Sequence, residues 1–332
     1  MNNVTQKSLT YRIVKRVLLL ILAMFILSIV VFILARLTPG DPLQSYYGDQ
    51  LDFMKESEIS AARQKLGLDS NMVVQYFRWL GGVFHGNFGL SLKYRQPVIN
   101  VIKPLVGNTI LLGLISYACT FVIAIILACI CAINEDGIVD KLISKIVTTI
   151  YYIPSFWLGV ILVLIFAVNL KWMPSSGAYD FGMAGSISNR IRHLILPVTV
   201  MVVSHVGYYT YMIRNKLLDE TRKDYVLLAK SKGCTRVEII RKHCLRNVLP
   251  TIISLMAISI PHITGGTVVV ESIFHYPGIG NLAIESTKFH DYNLLMLTVI
   301  ITGFVVFLGG FIAQTLNEEI DTRIKEQGVI KW

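Results

Sequence analysis

Hydrophobic positions along this chain gather into long uninterrupted blocks. The run 17–35 contains no Asp, Glu, Lys or Arg, and neither do 109–133, 146–170, 194–213, 248–270 and 294–317. Each block holds the roughly 20 residues that a helix, rising about 1.5 Å per residue, needs to cross about 30 Å of hydrocarbon. Lipid offers backbone amides no partner, so a helix is the conformation such a block can adopt. The pattern predicts an all-α membrane protein with six spans, at 17–37, 109–133, 146–170, 194–213, 248–270 and 294–317. The segments 1–16 and 318–332 flank them.

The first run has Lys7, Arg12, Lys15 and Arg16 ahead of it, as a secretory signal would. It is too long for a signal core, ends in Arg36-Leu-Thr-Pro39-Gly40 without a small-x-small cleavage site, and precedes five more spans. An uncleaved anchor is expected.

Between the first two spans, 38–108 is too polar to cross the membrane and too periodic for a tether. Short helices are expected over 58–66, stopped by Gly67, and over 73–80, with Val73, Phe77 and Leu80 on one face. Gly86-Asn-Phe-Gly89 reads as a turn. About a dozen residues, 134–145, join the second and third spans and make them antiparallel neighbours. Pro154, Pro197 and Pro261 predict kinks, while Gly265-Gly266 and Gly309-Gly310 allow close helix approach.

Composition agrees: 54% of residues are hydrophobic and 16% charged, against about a quarter charged in a soluble domain. The net charge of +10 is a topology signal. Segment 214–247 carries ten Lys/Arg and four acids, whereas 271–293 carries one Lys and three acids. The first is therefore expected in the cytoplasm and the second outside, with both termini inside. No basic patch is interleaved with the aromatics of nucleic-acid recognition, so anionic membrane lipid is the expected neighbour. Cys119, Cys129 and Cys131 fall in the second span, and Cys234 and Cys244 in the cytoplasmic loop, which gives no disulfide framework.

That loop is the richest stretch. Asp224 can cap a helix whose positions Tyr225, Leu228 and Ala229 share one face, and Gly233 stands where a helix end needs a left-handed residue. Thr235-x-x-Glu238 is a capping box opening a second helix. There Ile240, Cys244 and Val248 recur opposite Arg241, Lys242 and Arg246, and Pro250 marks the turn into the membrane. A short helix held between two spans either docks in a groove on another protein or lies on lipid headgroups.

Several motifs now stand in order: Leu37-Thr-Pro-Gly-Asp-Pro42, Leu66-Gly-Leu-Asp69, Gln75-Tyr76, Pro154-Ser-Phe-Trp-Leu-Gly159, His193-Leu-Ile-Leu-Pro197, the loop, and Glu271-Ser-Ile-Phe-His-Tyr-Pro-Gly-Ile-Gly280. In these the chain resembles the permease subunits of dipeptide, oligopeptide and nickel ABC importers, almost end to end. The resemblance implies a type I importer permease fold in a bacterial inner membrane. It also implies that the loop is the EAA-type coupling element that docks on an ATPase. Ala229 and Gly233 keep that element's Ala-x-x-x-Gly spacing, while Leu227-Leu228 replaces its Glu-Ala and Asp321-Thr-Arg323 replaces a C-terminal Asp-Pro-Arg.

The docking residues so implied are Asp224, Tyr225, Leu228, Ala229, Lys230, Lys232 and Gly233. The partners are a second homologous permease, two ATP-binding subunits carrying ATP-Mg, and an external solute-binding protein. This chain has no Gly-x4-Gly-Lys phosphate loop and is expected to bind no cofactor and catalyse nothing.

Secondary transport would place ionisable groups in the spans, yet these contain no Asp or Glu, only His205 and His262. A membrane-embedded enzyme is disfavoured by the absence of His-Glu-x-x-His and of any acidic pair in the spans. The histidines lack the spacing of a metal site. Candidate pore or gate positions are His205, His262, Gly265, Gly266, Glu271, Pro277 and Gly278, the last two in a turn near the pore mouth. Di- or oligopeptides are the first choice of solute, and nickel or another metal chelate the second.

Overall fold

The computed structural model describes residues 9–37, 41–65 and 67–320. Residues 1–8, Thr38-Pro39-Gly40, Leu66 and the tail with Asp321-Thr-Arg323 lie outside them. The described residues form helices α1 (Leu9–Leu37), α2 (Pro42–Tyr47), α3 (Glu56–Lys65), α4 (Met72–Phe84), α5 (Val98–Ile133), α6 (Ile138–Tyr151), α7 (Ser155–Leu162), α8 (Ile187–Thr221), α9 (Asp224–Ser231), α10 (Arg236–Glu238), α11 (Leu245–Ile273), α12 (Ile279–Lys288) and α13 (Tyr292–Ile320). Five are long and apolar enough to cross a membrane, and α6 with the α7 segment makes a sixth if that bent pair is one span.

The third span departs from the sequence expectation. The uncharged run 146–170 is not one kinked helix: α6 begins already at Ile138 and ends at Tyr151, and the chain turns by 97° before continuing from Ser155 to Asn169. Pro154 explains the break, since it lacks an amide to continue α6 and stands in extended conformation just before α7. The link between α5 and α6 therefore shrinks from a dozen residues to the turn 134–137. Pro197, Pro250 and Pro261 all lie inside helices, so Pro250 does not mark a turn into the membrane.

The chain divides into two compact units. One comprises 110–276 and, among the described residues, 306–320. Its core is built on α8, whose Val200, Met201, Tyr209, Ile213 and Leu217 are buried among residues of α5, α9 and α11. Gly207 lets α8 meet α6 at backbone distance, because a Cβ there would collide with the Val147 carbonyl oxygen. Gly309 likewise receives the Ile260 side chain. Beyond the α7 segment, His193 Nδ1 donates to the carbonyls of Ser176 and Gly177 at 3.0 and 3.1 Å, and Asn189 Nδ2 donates to Asp180 at 2.6 Å. Those bonds pin the loop to the start of α8.

The other unit comprises, among the described residues, 9–37, 41–65, 67–109 and 277–305. Helices α3 and α4 realise the two short helices expected at 58–66 and 73–80, and Gly67, Gly86 and Gly89 take left-handed conformations as their turns require. Tyr76 packs edge-on against Phe25 and Phe32 of α1, its hydroxyl 2.8 Å from Ser28 Oγ. The expected external loop 271–293 contains a helix, α12, which begins at Ile279, whose amide donates to Thr109 Oγ1 at 2.8 Å. Asp291 accepts from Ser91 Oγ at 2.5 Å and from the Lys93 amide at 3.1 Å, while Lys93 Nζ and the Tyr94 hydroxyl both reach Glu285. This network ties 91–94 to the α12–α13 corner.

Candidate functional site

The loop between α8 and α11 forms the two helices expected of it. Lys223, not Asp224, is the N-cap of α9; Asp224 occupies the first helical position, where its charge complements the helix dipole. Gly233 has φ +80°, and Cys234 N closes the turn onto Ala229 O at 3.1 Å. The Thr235/Glu238 capping box is present, with Thr235 N donating to Glu238 Oε2 at 3.1 Å. From there the chain runs through a π-helical turn, Ile239–Cys244, into α11, burying Ile240, Cys244 and Val248 as their spacing predicts.

The face of α9 is rotated relative to the expectation. Val226 and Ala229 are buried, and the Tyr225 hydroxyl donates to Glu220 at 3.0 Å, so Tyr225 and Ala229 hold the helix to its own protein. Burial pushes the Tyr225 hydroxyl's pKa up. Leu227 and Leu228 point outward, 69% and 57% exposed, together with Lys230 and Lys232. Leu228 thus does not share a face with Ala229. The exposed apolar pair on this helix is the dipeptide that stands where the resembled element has Glu-Ala.

Two ion pairs brace this element, and neither was legible in the sequence. Arg214, near the end of α8, grips Asp140 of α6 through Nε at 2.7 Å and Nη2 at 2.5 Å. Arg236 donates to the Ala132 carbonyl at 2.9 Å and to Glu135 at 2.5 Å, joining the start of α10 to the α5–α6 turn. The partners are about 75 to 100 residues apart in the chain, beyond any local pattern. The one available signal was an acid, Asp140, in a segment otherwise reading as amphipathic.

A second feature of this unit is a cavity of about 490 Å³ walled by the break 151–155 and by Met201, Ser204, His205 and Gly266. His205 Nδ1 donates to the Met201 carbonyl at 2.8 Å, and its ring lies against Gly266, where a Cβ would come within 3.1 Å of Cε1. Ser204 Oγ is buried without a partner among the described residues. The cavity thus carries a hydroxyl and an imidazole inside membrane-spanning helices. Of the other gate candidates, His262 and Gly265 lie exposed on α11, and Glu271 is fully buried near its end. Pro277 and Gly278 belong to the other unit, where the Pro277 carbonyl accepts from Asn108 Nδ2 at 2.8 Å and Gly278 caps α12. No cluster of three metal-ligating side chains occurs among the described residues.

Comparison with known proteins decides the family. Residues 122–326 match the family described as the inner membrane component of binding-protein-dependent transport systems, and residues 9–103 match its N-terminal domain. The chain belongs to this family. The permease is 33% identical over 319 residues to the oligopeptide transport system permease protein AppB of Bacillus subtilis, covering 94% of this chain and 98% of that one. It is 32% identical over 300 residues to a putative peptide permease protein of Brucella suis, covering 90% and 94%. Among solved structures, the inward-facing MetNI methionine ABC transporter aligns with a TM-score of 0.50 at 19% identity, over 65% of the permease and 96% of that chain. That likeness shows the fold of a type I importer permease. The permease is a multi-pass inner-membrane protein, the transport subunit of an ABC importer.

Proposed function

We propose that the permease forms half of the translocation path of an ATP-driven importer of di- or oligopeptides, pairing with a second homologous permease. Two ATP-hydrolysing subunits dock at 224–233 on the cytoplasmic side, and an external binding protein delivers the solute. The observation that carries this reading is the exposed Leu227-Leu228 pair, fixed on a short helix whose opposite face is anchored by Val226 and Ala229. An exposed apolar pair fixed on a rigid short helix is the kind of surface that seats in an apolar groove of a partner protein. Lys230, Lys232 and the left-handed turn at Gly233 complete the surface.

The peptide assignment is supported by the names of relatives aligned over nearly the whole chain. The cavity beside His205 supports a solute path, since a buried hydroxyl and imidazole within spans are accommodated where a water-filled route passes. Nucleotide closure on the partners would rock α9 and, through Arg214–Asp140 and Arg236–Glu135, the ends of α5, α6 and α8.

The test is uptake of labelled peptides into proteoliposomes holding the permease pair, its ATPases and its binding protein. Uptake should require ATP, and the double substitution Leu227→Asp with Leu228→Asp should abolish ATPase association while leaving the permease folded. Retained association in that variant sinks the docking surface. Uptake driven by an ion gradient without ATP sinks the importer mechanism.

A further inference from the structure

A cavity in the other unit is independent of the transport site. It measures about 210 Å³ and is lined by Phe32 and Arg36 of α1, Gln75, Arg78 and Trp79 of α4, and Tyr292 of α13, among others. Two guanidinium groups thus border one cavity, and among the described residues no carboxylate lines it. The Arg36 guanidinium is flanked by aromatic faces, 4.3 Å from the Tyr292 ring centre and 5.2 Å from that of Phe32. Arg78 lies over Gly67, where a Cβ would come within 3.0 Å of its Nη1. The carboxylate of Asp41 is already engaged by Arg63 at 2.5 Å.

The hydrogen bonding at this cavity is also incomplete. Arg36 Nε and Trp79 Nε1 are buried donors without an acceptor among the described residues, and Gln75 Oε1 is a buried acceptor without a donor. The Gln75 amide is not free to turn away, because its Nε2 donates to the carbonyls of Leu68 and Ser70 at 3.1 and 2.6 Å. Buried polar atoms are ordinarily satisfied, and unmatched ones call for a partner such as an ordered water, an ion or a ligand. A ligand that fits must be anionic, accept several N–H bonds, and carry a donor for Gln75.

Position selects among anions. Arg36 is the penultimate residue of the span Ile13–Leu37, so its guanidinium stands at the level where hydrocarbon gives way to headgroups, beside the Trp and Tyr that favour that interface. We propose that this cavity binds the phosphate of a membrane lipid headgroup, with Arg36 and Arg78 holding the phosphate oxygens and the headgroup's hydroxyl or ammonium donating to Gln75. The site would fasten α1, α4 and α13 to the bilayer surface. It rests on α1 being a span and not on the identity of the solute.

The experiment uses the full-length permease in detergent, stripped of lipid and titrated with phosphatidylglycerol, with diacylglycerol of the same chains, or with inorganic phosphate, bound species being counted by native mass spectrometry. Wild type should retain phosphatidylglycerol and not diacylglycerol. Arg78→Gln should weaken retention on the order of tenfold, as loss of a hydrogen bond to a charged group does. Trp79→Phe, which keeps the ring and removes the donor, should weaken it in the same direction with an unchanged unfolding temperature. Inorganic phosphate binding as tightly as the phospholipid would assign the site to a free anion and overturn the lipid. Equal retention of diacylglycerol, or both variants binding like wild type, would overturn the phosphate site altogether.

Discussion

A single guanidinium, that of Arg214, holds both oxygens of Asp140 from 74 residues away, at 2.7 and 2.5 Å. The Asp136 amide donates to the same carboxylate at 3.0 Å, and the Asp140 side chain is 2% exposed. Removing one member of such a pair strands a charge in a poorly hydrated place, which costs about 3–5 kcal/mol when burial is complete. Arg214 is partly exposed, so Asp140→Ala should cost about 3 kcal/mol, toward the lower end. Arg214→Lys keeps the charge without the two-pronged grip and should cost less. Thermal unfolding in detergent measures both, and an unchanged Asp140→Ala would show that the pair contributes nothing.

Two glycines make a contrast on neighbouring helices. A Cβ on Gly207 runs into the Val147 carbonyl, which is backbone and cannot yield, whereas a Cβ on Gly265 meets nothing within 4 Å. Gly207→Ala should therefore separate α6 from α8 and destabilise by about 1–3 kcal/mol. Gly265→Ala should be neutral or stabilise by up to about 1 kcal/mol through helix propensity. Equal melting temperatures for the two variants would contradict the close approach.

Hydropathy located α1, α5, α8, α11 and α13 because a charge-free block of sufficient length has one physical solution in lipid. It could not see direction. The block 146–170 is uniformly apolar across a 97° break, and only Pro154 hinted at it. In α9, eight residues give too few repeats to fix a face: the spacing aligns Tyr225, Leu228 and Ala229, whereas Val226 and Ala229 are the buried pair. Local chemistry transferred well: the capping box at Thr235 and the left-handed Gly233 depend on immediate neighbours. The pairs Arg214–Asp140 and Arg236–Glu135 depend on tertiary contact, of which the acid Asp140 was the one local sign.

Gly233 provides the sharpest test of the proposed coupling turn. Its φ of +80° is a conformation that costs an L residue about 1–2 kcal/mol, and more if the side chain is β-branched. Among the described residues no atom lies within 4 Å of its missing Cβ, so strain alone would act. Gly233→Val should reduce ATPase-coupled uptake severely, and Gly233→Asn, which tolerates the left-handed region, should retain most of it. Indistinguishable uptake in the two variants would show that the turn's geometry is unimportant.

The network around Glu285 carries a pH signature. Burial raises that carboxyl's pKa, but Lys93 at 2.9 Å and the Tyr94 hydroxyl outweigh it and hold the pKa below its ordinary 4.5. Tyr94 is correspondingly pushed up to about 12 by burial and by Glu285. A depressed folded-state pKa means stability that is complete above pH 4.5 and lost as the pH falls through the lower folded value. Wild type should thus melt progressively earlier below that point, and the loss should be smaller in Glu285→Gln. Parallel melting profiles for the two proteins between pH 6 and 3 would remove Glu285 from the account.

His262 distinguishes a path face from a lipid face on α11. An imidazole exposed within a span is costly against hydrocarbon and acceptable against water. It stands one turn from Gly266, which lines the cavity beside His205. Because His262 is exposed, His262→Ala should alter stability by no more than about 0.5 kcal/mol. On a path face, His262→Trp should obstruct uptake while leaving ATPase association intact, since the proposed docking surface at Leu227 and Leu228 is on α9. On a lipid face, the same substitution would place a well-tolerated aromatic in the bilayer and uptake would be unchanged. Gly266→Val calibrates the result: it presses on His205 Cε1 and Met201 Sδ, which a Cβ alone would approach to 3.1 and 3.2 Å, and should both narrow the cavity and lower stability by about 1–3 kcal/mol. Uptake lost in His262→Trp with both stability and pairing to the second permease retained therefore identifies the exposed face of α11 as the surface the solute passes.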